Sequence, residues 1–141
     1  MSWQPEVDEI ARRRVFAQAM GGAEAIAKLH AKGRLSVRER IDALLDPDSF
    51  VEIGVLTGQA RYGEDGALVE LTPANALIGT GRIDGRKVVV SADDFSIRGG
   101  SSEATISEKW IFAERLALEY RLPLIRLVDT AGGSVRLLDK D

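Results

Sequence analysis

The chain has 141 residues, of which 45% are hydrophobic, and these values predict about one folded domain rather than a disordered segment. Its 19 basic and 22 acidic residues give a net charge of −3, so we expect neither nucleic acid nor a membrane as a partner. The absence of cysteine excludes disulfides, thiolate nucleophiles and zinc–thiolate sites, and we predict no metal site.

The N-terminal residues do not have the pattern of a secreted protein. Residues 1–5 lead into charged residues rather than into the apolar core of a signal peptide. No apolar run approaches the ~20 residues needed to span a bilayer. We therefore expect a cytoplasmic protein.

Short helices are predicted throughout residues 1–48, which we take as an N-terminal helical segment. Pro5 occupies a favoured first-turn position of the first helix, and a second helix covers residues 23–32. The third begins at a capping box, in which the Ser36 hydroxyl accepts from the Glu39 N–H while the Glu39 side chain reaches back. We expect a solvated helix face, rather than a binding cluster, for the basic residues, which include Arg34, Arg38 and Arg40.

Strand signals follow the helical segment. Apolar alternation over residues 50–56 predicts a strand, whereas residues 57–75 contain glycines and a proline and are predicted as a long loop. Residues 76–83 and 87–92 form the clearest hairpin, because Asp84-Gly85 between them is typical of a type I′ turn.

A strand–helix–strand crossover completes the chain. A helix is predicted from about residue 103 to residue 120, capped by Ser101 or Ser102. The mostly apolar residues 124–128 then predict a strand that is buried on both faces of a parallel sheet. The two parallel strands and the preceding hairpin make the repeating unit two strands and a helix, joined by a right-handed crossover.

Two glycine-rich loops, residues 99–101 and 131–134, follow the two parallel strands. Parallel strands end at the same edge of a sheet and neighbours lie ~4.8 Å apart, so the loops could converge on one ligand. Successive N–H groups at Gly132-Gly133 could point at one negative oxygen. The alternative is an ordinary turn that uses glycine for its positive φ angles.

Taken in order, these motifs resemble the carboxyltransferase (β) subunits of biotin-dependent acyl-CoA carboxylases, of the propionyl-, acetyl- and methylcrotonyl-CoA type. The likeness runs from Gly22 to about Arg136. It is carried by residues 32–41, 44–46, 50–53, 79–86, 93–95, 99–101, 128–129 and 132–134.

The resemblance implies an α/β, crotonase-like fold of ββα units that is repeated in two halves. The N-terminal half of the family binds acyl-CoA, and the C-terminal half binds biotin carried by a partner domain or subunit. Residues 49–141 are similar to an incomplete N-terminal carboxyltransferase domain, so we expect a fragment that is inactive alone. The implied partners are an acyl-CoA substrate, a biotin carboxylase/biotin carrier subunit and further copies of the full-length protein in a homo-oligomer.

The resemblance also implies roles for particular residues. Gly132, Gly133 and Ser134 would stabilise the enolate of the thioester, which then attacks CO₂ released from carboxybiotin. The acyl-CoA site would be lined by Gly99, Gly100 and Ser101. Asp129 and Lys109 match family positions as well, and we assign them structural roles.

The glycine turn departs from the family pattern. The usual motif is Asp-Ser-Gly-Gly-Ala, whereas residues 129–134 hold one residue more. Two alternatives remain open: the related subunit of a biotin-dependent, sodium-pumping decarboxylase, and a truncated, non-catalytic module that binds acyl-CoA or supports assembly. A hydratase of the crotonase fold would need a pair of catalytic carboxylates, and the sequence does not place one.

Overall fold

The computed structural model describes residues 2–101 and 106–133. No helix in this part of the chain is long and apolar enough to cross a membrane. A 3₁₀ turn, Arg98–Gly100, lies between the last two strands. The elements in chain order are α1 (Gln4–Ala19), α2 (Ala23–His30), α3 (Val37–Leu44), β1 (Val51–Ile53), β2 (Gly58–Tyr62), β3 (Leu68–Pro73), β4 (Ala76–Ile83), β5 (Arg86–Asp93), α4 (Ser107–Tyr120) and β6 (Leu124–Leu127).

The central feature is a four-stranded sheet in the order β1-β4-β5-β6. β1, β4 and β5 are antiparallel neighbours, whereas β6 pairs with β5 in parallel. The predicted hairpin is confirmed, and its turn residues Asp84 and Gly85 have φ angles of 50° and 75°. Two consecutive positive φ angles are typical of the type I′ turn, whose twist matches that of the flanking strands. The predicted crossover through α4 to a parallel strand is confirmed as well.

Helices cover both faces of this sheet. On one face, Val37 and Ile41 of α3 pack in a buried cluster with Val90 of β5. On the other, Ala113 of α4 packs in a second cluster with Val89. Neighbouring strand residues point to opposite faces, so β5 serves both clusters. Helix α3 of the N-terminal segment therefore shares a core with the sheet, and the division of the chain at residue 48 stays a prediction.

The long loop predicted for residues 57–75 is wrong. β2 and β3 pair there as an antiparallel hairpin that forms its own two-stranded sheet. Four of the five residues of β2 are exposed, so the strand lacks the apolar alternation by which sequence patterns are recognised. β3 buries Leu68 and Leu71, and Gly66 in the connecting turn has a φ of 77°. The first predicted strand is also shorter than expected, at Val51–Ile53.

The start of α4 and the burial of β6 differ from the prediction. Ile106 precedes α4 without a side-chain cap, and Ser101 instead closes the 3₁₀ turn; Ser102 lies outside the described residues. In β6, Arg126 is exposed and the other residues are half-buried, because β6 is the last strand of the described sheet. It has β5 on one side only within that sheet.

The capping box at the start of α3 is confirmed and should contribute measurably to stability. The Ser36 hydroxyl accepts from the Glu39 N–H at 3.3 Å, and the Ser36 N–H donates to the Glu39 carboxylate at 2.6 Å. Ser36→Ala should lower the free energy of unfolding by about 1 kcal/mol in urea denaturation, because an orphan helix donor loses its acceptor. Ser107→Ala is the control, since Ser107 is exposed and α4 has no side-chain cap. Equal losses in the two variants would contradict the role of Ser36.

The same capping box makes stability depend on pH. The pKa of Glu39 is lowered from 4.5 to about 2, chiefly by the hydrogen bond to His30 and then by the Ser36 N–H. A carboxylate with a lowered folded pKa stabilises the fold above its unfolded value, and this contribution is lost as the pH falls through the folded value. The difference in unfolding free energy between the wild type and Glu39→Gln should therefore shrink from about pH 4.5 toward pH 2. A difference that stays constant over this range in urea titrations would count against the assignment.

Candidate functional site

Two loops leave the sheet at the same edge, because β5 and β6 are parallel neighbours. Ala92 of β5 lies opposite Leu127 of β6, so both strands end at the same level. We call residues 94–101 the first loop and residues 128–133 the second loop. The predicted glycine pairs thus lie on adjacent connections.

Direct hydrogen bonds join the two loops. The Ala131 N–H donates to the Gly99 carbonyl at 2.8 Å. The Thr130 hydroxyl donates to the Gly100 carbonyl, also at 2.8 Å. The convergence of the loops, expected from the parallel strands, is therefore confirmed as geometry.

The predicted substrate-binding residues Gly99, Gly100 and Ser101 all lie in the first loop. Gly100 is buried with a φ of 65°, and a β-carbon there would collide with the carbonyl of Asp129. Gly99 has a φ of 63°, and its β-carbon would lie 3.3 Å from that of Ala131. Glycine is needed at both positions because the second loop lies directly against them.

Asn75 fixes both ends of the first loop, a role that the sequence reading missed. Its side-chain amide donates to the Ser101 carbonyl at 2.7 Å, and its own carbonyl accepts from the Asp94 N–H at 2.8 Å. Asn75 is fully buried. The detectable signal was a polar residue directly before an apolar strand, which is costly to bury without hydrogen bonds.

Asp94 anchors the first loop from within. It is completely buried, and its carboxylate accepts from the Ser96 N–H at 2.9 Å and the Ser96 hydroxyl at 2.5 Å. Burial raises the pKa of Asp94, while the Ser96 hydrogen bonds and the charges of Arg38 and Arg40 oppose that shift. The Ser96 hydroxyl also accepts from the Gly21 N–H at 3.0 Å, which ties the first loop to the α1–α2 junction.

Asp129 anchors the second loop, in agreement with the structural role assigned to it. Its N–H donates to the Asp93 carboxylate at 3.1 Å. Its own carboxylate lies 2.5 Å from the Arg34 guanidinium and 3.8 Å from that of Arg40. Arg34 also lies 4.2 Å over the ring of Phe95 in the first loop, so one arginine contacts both loops.

The expected solvated arginine face is wrong for α3 and the turn before it. Arg34, Arg38 and Arg40 are half-buried, and Arg38 pairs with Glu52 at 2.9 Å. Arg38 directly follows the buried Val37, and Arg40 directly precedes the buried Ile41. These positions beside buried residues of the helix were the sequence signal for partly buried arginines.

Lys109 is a buried cation on α4. Its exposed fraction is 7%, and burial lowers the pKa of its ammonium group while Glu52 raises it. Glu52 is also the ion-pair partner of Arg38 on α3, at 2.9 Å. The structural role assigned to Lys109 stays a prediction.

The predicted catalytic residues differ in what their backbone amides do. The Gly132 N–H donates to the Thr130 hydroxyl at 3.0 Å, with a φ of 101° at Gly132. The Gly133 N–H makes no hydrogen bond to any described residue, and both glycines are exposed. Ser134 lies outside the described residues.

Comparison with known proteins identifies the family. Residues 28–138 match the model of the carboxyl transferase domain. The chain belongs to the carboxyl transferase domain family.

Its relatives are subunits of much longer enzymes. Over 121 residues the chain is 38% identical to the biotin-dependent 3-methylcrotonyl-coenzyme A carboxylase beta1 subunit of Mycobacterium tuberculosis, covering 84% of this chain and 22% of that subunit. Over 137 residues it is 36% identical to the acetyl-/propionyl-coenzyme A carboxylase beta5 subunit of the same species, covering 91% and 23%. The chain thus spans roughly a quarter of these carboxyl transferase relatives.

Solved structures agree with the crotonase-like fold that the sequence predicts. The transcarboxylase 12S structure, with methylmalonyl-coenzyme A and methylmalonic acid bound, superposes with a TM-score of 0.76 at 31% identity. That match covers 96% of this chain and 26% of the other. A single-chain, multi-domain long-chain acyl-CoA carboxylase gives a TM-score of 0.74 at 29% identity, covering 92% and 14%.

Ala131 lies between Thr130 and the glycine pair of the second loop. Its N–H is the one that donates to the Gly99 carbonyl, so the residue directly before the glycine pair contacts the first loop.

Gly100→Ala tests whether the loop contact needs glycine, with Gly66→Ala as the matched control. Both glycines have positive φ angles, 65° and 77°, but a β-carbon at Gly66 would meet nothing within 4 Å. Gly66→Ala should cost about 1–2 kcal/mol of unfolding free energy through the left-handed conformation alone. Gly100→Ala should cost more and should shift the amide NMR signals of residues 130–133. Equal costs with unshifted signals would contradict the packing of the two loops.

Proposed function

We propose that this chain forms the acyl-CoA side of a biotin-dependent carboxyltransferase, which transfers a carboxyl group from carboxybiotin to the α-carbon of an acyl-CoA. The observation that carries the proposal is the joined pair of glycine loops, in which Gly133 is exposed and its N–H makes no hydrogen bond to a described residue. Membership of the carboxyl transferase family supports the reaction type. Relatives named for acyl-CoA substrates support the substrate class.

The reaction requires the protein to stabilise the negative charge that develops on one oxygen. Removal of the α-proton of a thioester places negative charge on the thioester oxygen, and N–H groups fixed toward that oxygen stabilise the enolate. One such donor is typically worth about 3–4 kcal/mol in a site that excludes water. In the proposal the turn of Gly132, Gly133 and Ser134 supplies these donors, and Gly99, Gly100 and Ser101 form the adjoining wall.

No side chain of the two loops is needed as an acid or base. Asp129 is held by Arg34, and Asp94 is buried and hydrogen-bonded to Ser96. Both carboxylates are therefore engaged by groups of the protein, and the proposal gives neither a proton exchange with the ligand. Backbone N–H groups, rather than side chains, are therefore the groups proposed to act on the ligand, which fits a reaction that requires stabilisation of an enolate oxygen.

Carboxybiotin, delivered by a partner, would supply the CO₂ that the enolate attacks, and the ureido nitrogen that it leaves behind would take the α-proton. Within residues 2–101 and 106–133 the sheet edge carries one joined pair of glycine loops. Backbone donors of this kind suit one oxygen at a time, so we assign this pair of loops to the thioester oxygen. The proposed work of the chain is to bind and orient the acyl-CoA.

A cleft beside the first loop is large enough for a small-molecule ligand. Its volume is about 370 Å³, within the usual range of ~300–1,000 Å³ for such sites. Arg98, an exposed residue of the lining, could pair with a phosphate group of coenzyme A. The lining includes Phe16, Met20, Glu70, Leu71, Pro73, Ile97 and Arg98.

The proposed partners follow from the same reaction. A biotin carboxylase/biotin carrier subunit would deliver carboxybiotin, and the full-length protein would assemble as a homo-oligomer in the cytoplasm. The transcarboxylase 12S structure is described as a hexamer assembly, which supports an oligomer here.

A chimera tests the proposal directly. The matched segment of the M. tuberculosis beta5 subunit, 36% identical over 137 residues, would be replaced by this chain. The chimera should carboxylate propionyl-CoA or acetyl-CoA in an assay that depends on carboxylated biotin. A correctly folded chimera without transfer activity would overturn the proposal.

Two substitutions in the chimera test the role of the Gly133 N–H. Gly133→Pro removes the N–H, and the rate should fall on the order of 100-fold or more. Gly133→Ala keeps the N–H, and its β-carbon would meet nothing within 4 Å, so the rate should stay near that of the parent. Equal rates in the two variants would show that this amide does not act.

A further inference from the structure

We propose that Thr130 is the positioning residue of the oxyanion donor, because its hydroxyl fastens the second loop to the first and occupies the Gly132 N–H. The Gly133 N–H is then the amide that remains for the substrate oxygen. The inference rests on the proposed function and narrows it. Of the proposed donors that lie in the described residues, only the Gly133 N–H is left for the substrate oxygen, and the Thr130 hydroxyl fixes its position.

The hydroxyl of Thr130 makes two hydrogen bonds of opposite sense. It donates to the Gly100 carbonyl at 2.8 Å and accepts from the Gly132 N–H at 3.0 Å. A hydroxyl has one donor and two acceptor lone pairs, so both bonds form at once without conflict. Such a chain of hydrogen bonds polarises its members and strengthens them.

The bond to Gly132 determines which amide faces outward. A threonine oxygen that accepts from the N–H two residues ahead closes a local turn and fixes the intervening peptide plane. The Gly132 N–H is therefore directed inward at Thr130, whereas the next amide, at Gly133, makes no bond within the described part of the chain. The φ of 101° at Gly132 is available to glycine and strained for other residues.

Ala131 completes the arrangement from the other side. Its N–H donates to the Gly99 carbonyl, so consecutive residues of the second loop are bound to consecutive carbonyls of the first. The second loop is thus held at two adjacent points, directly before the glycine pair. A side chain without a hydroxyl at position 130 could form neither the bond to the Gly100 carbonyl nor the bond from the Gly132 N–H.

The experiment uses isosteric substitutions in the 141-residue chain. Thr130→Val replaces the hydroxyl by a methyl group, and Thr130→Ser keeps the hydroxyl. Thr80→Val is the control, because the Thr80 side chain makes no hydrogen bond to the described residues. Hydrogen exchange of the Gly132 amide, followed by NMR, should speed up toward the rate of Gly133 in Thr130→Val. It should stay slow in Thr130→Ser and Thr80→Val.

Transfer kinetics in the chimera give the functional readout. Thr130→Val should lower kcat on the order of 10- to 100-fold with little change in KM, because a displaced donor weakens stabilisation of the enolate more than binding of the thioester. Thr130→Ser should restore most of kcat. A general loss of folding would instead change the whole NMR spectrum, which separates it from a local effect.

The outcomes distinguish this inference from the proposed function. If the chimera with Thr130 intact transfers no carboxyl group, the proposed function fails whatever the exchange rates are. If that chimera is active and Thr130→Val retains its kcat, Thr130 does not position the donor. Unchanged protection of the Gly132 amide in Thr130→Val would overturn the inference independently of any activity.

Discussion

Parallel pairing between β5 and β6 is the constraint on which the candidate site depends. Because of this pairing, the loops that follow the two strands leave the sheet at the same level. Hydrogen bonds between the loops then keep them together. The bonds from Ala131 and Thr130 run directly between the loops. Gly100 allows this approach because it has no β-carbon to collide with the Asp129 carbonyl.

Buried and half-buried polar groups fix the positions of the two loops. Asn75 joins the two ends of the first loop, Asp94 folds it inward, and Arg34 bridges Asp129 and Phe95. Each of these groups is costly to bury alone, and each is placed where a backbone or ionic partner compensates for lost water. Arg34 lies in the turn before α3, and Arg40 of α3 is 3.8 Å from Asp129, so the N-terminal segment takes part in shaping the site.

Local signals predicted the parts of the fold whose cause is local. The capping box at Ser36 and the type I′ turn at Asp84-Gly85 depend on residues close in sequence, and both are confirmed. The strand–helix–strand crossover, also confirmed, follows from the order of the elements along the chain. The β2–β3 hairpin was missed because its first strand is mostly exposed and shows no apolar alternation. Propensity is a weak guide where a strand packs little of its surface.

The candidate site was predicted to a more limited extent, for a physical reason. The glycine pairs and their common edge follow from strand order, which the sequence indicates. The Arg34–Asp129 pair joins residues 95 positions apart, so no local pattern could indicate it. The use of the Gly132 amide by Thr130 depends on one rotamer and one φ angle, and residue types alone do not determine these.

The position of β6 has a thermodynamic consequence. Within the described residues its outer side pairs with no strand, so the backbone N–H and C=O groups there lack a strand partner. A strand that joined this edge would bind the folded state and not the unfolded one, and would add its binding free energy to folding. The stability measured for the chain alone is therefore a lower bound for the same residues in any sheet that continues past β6.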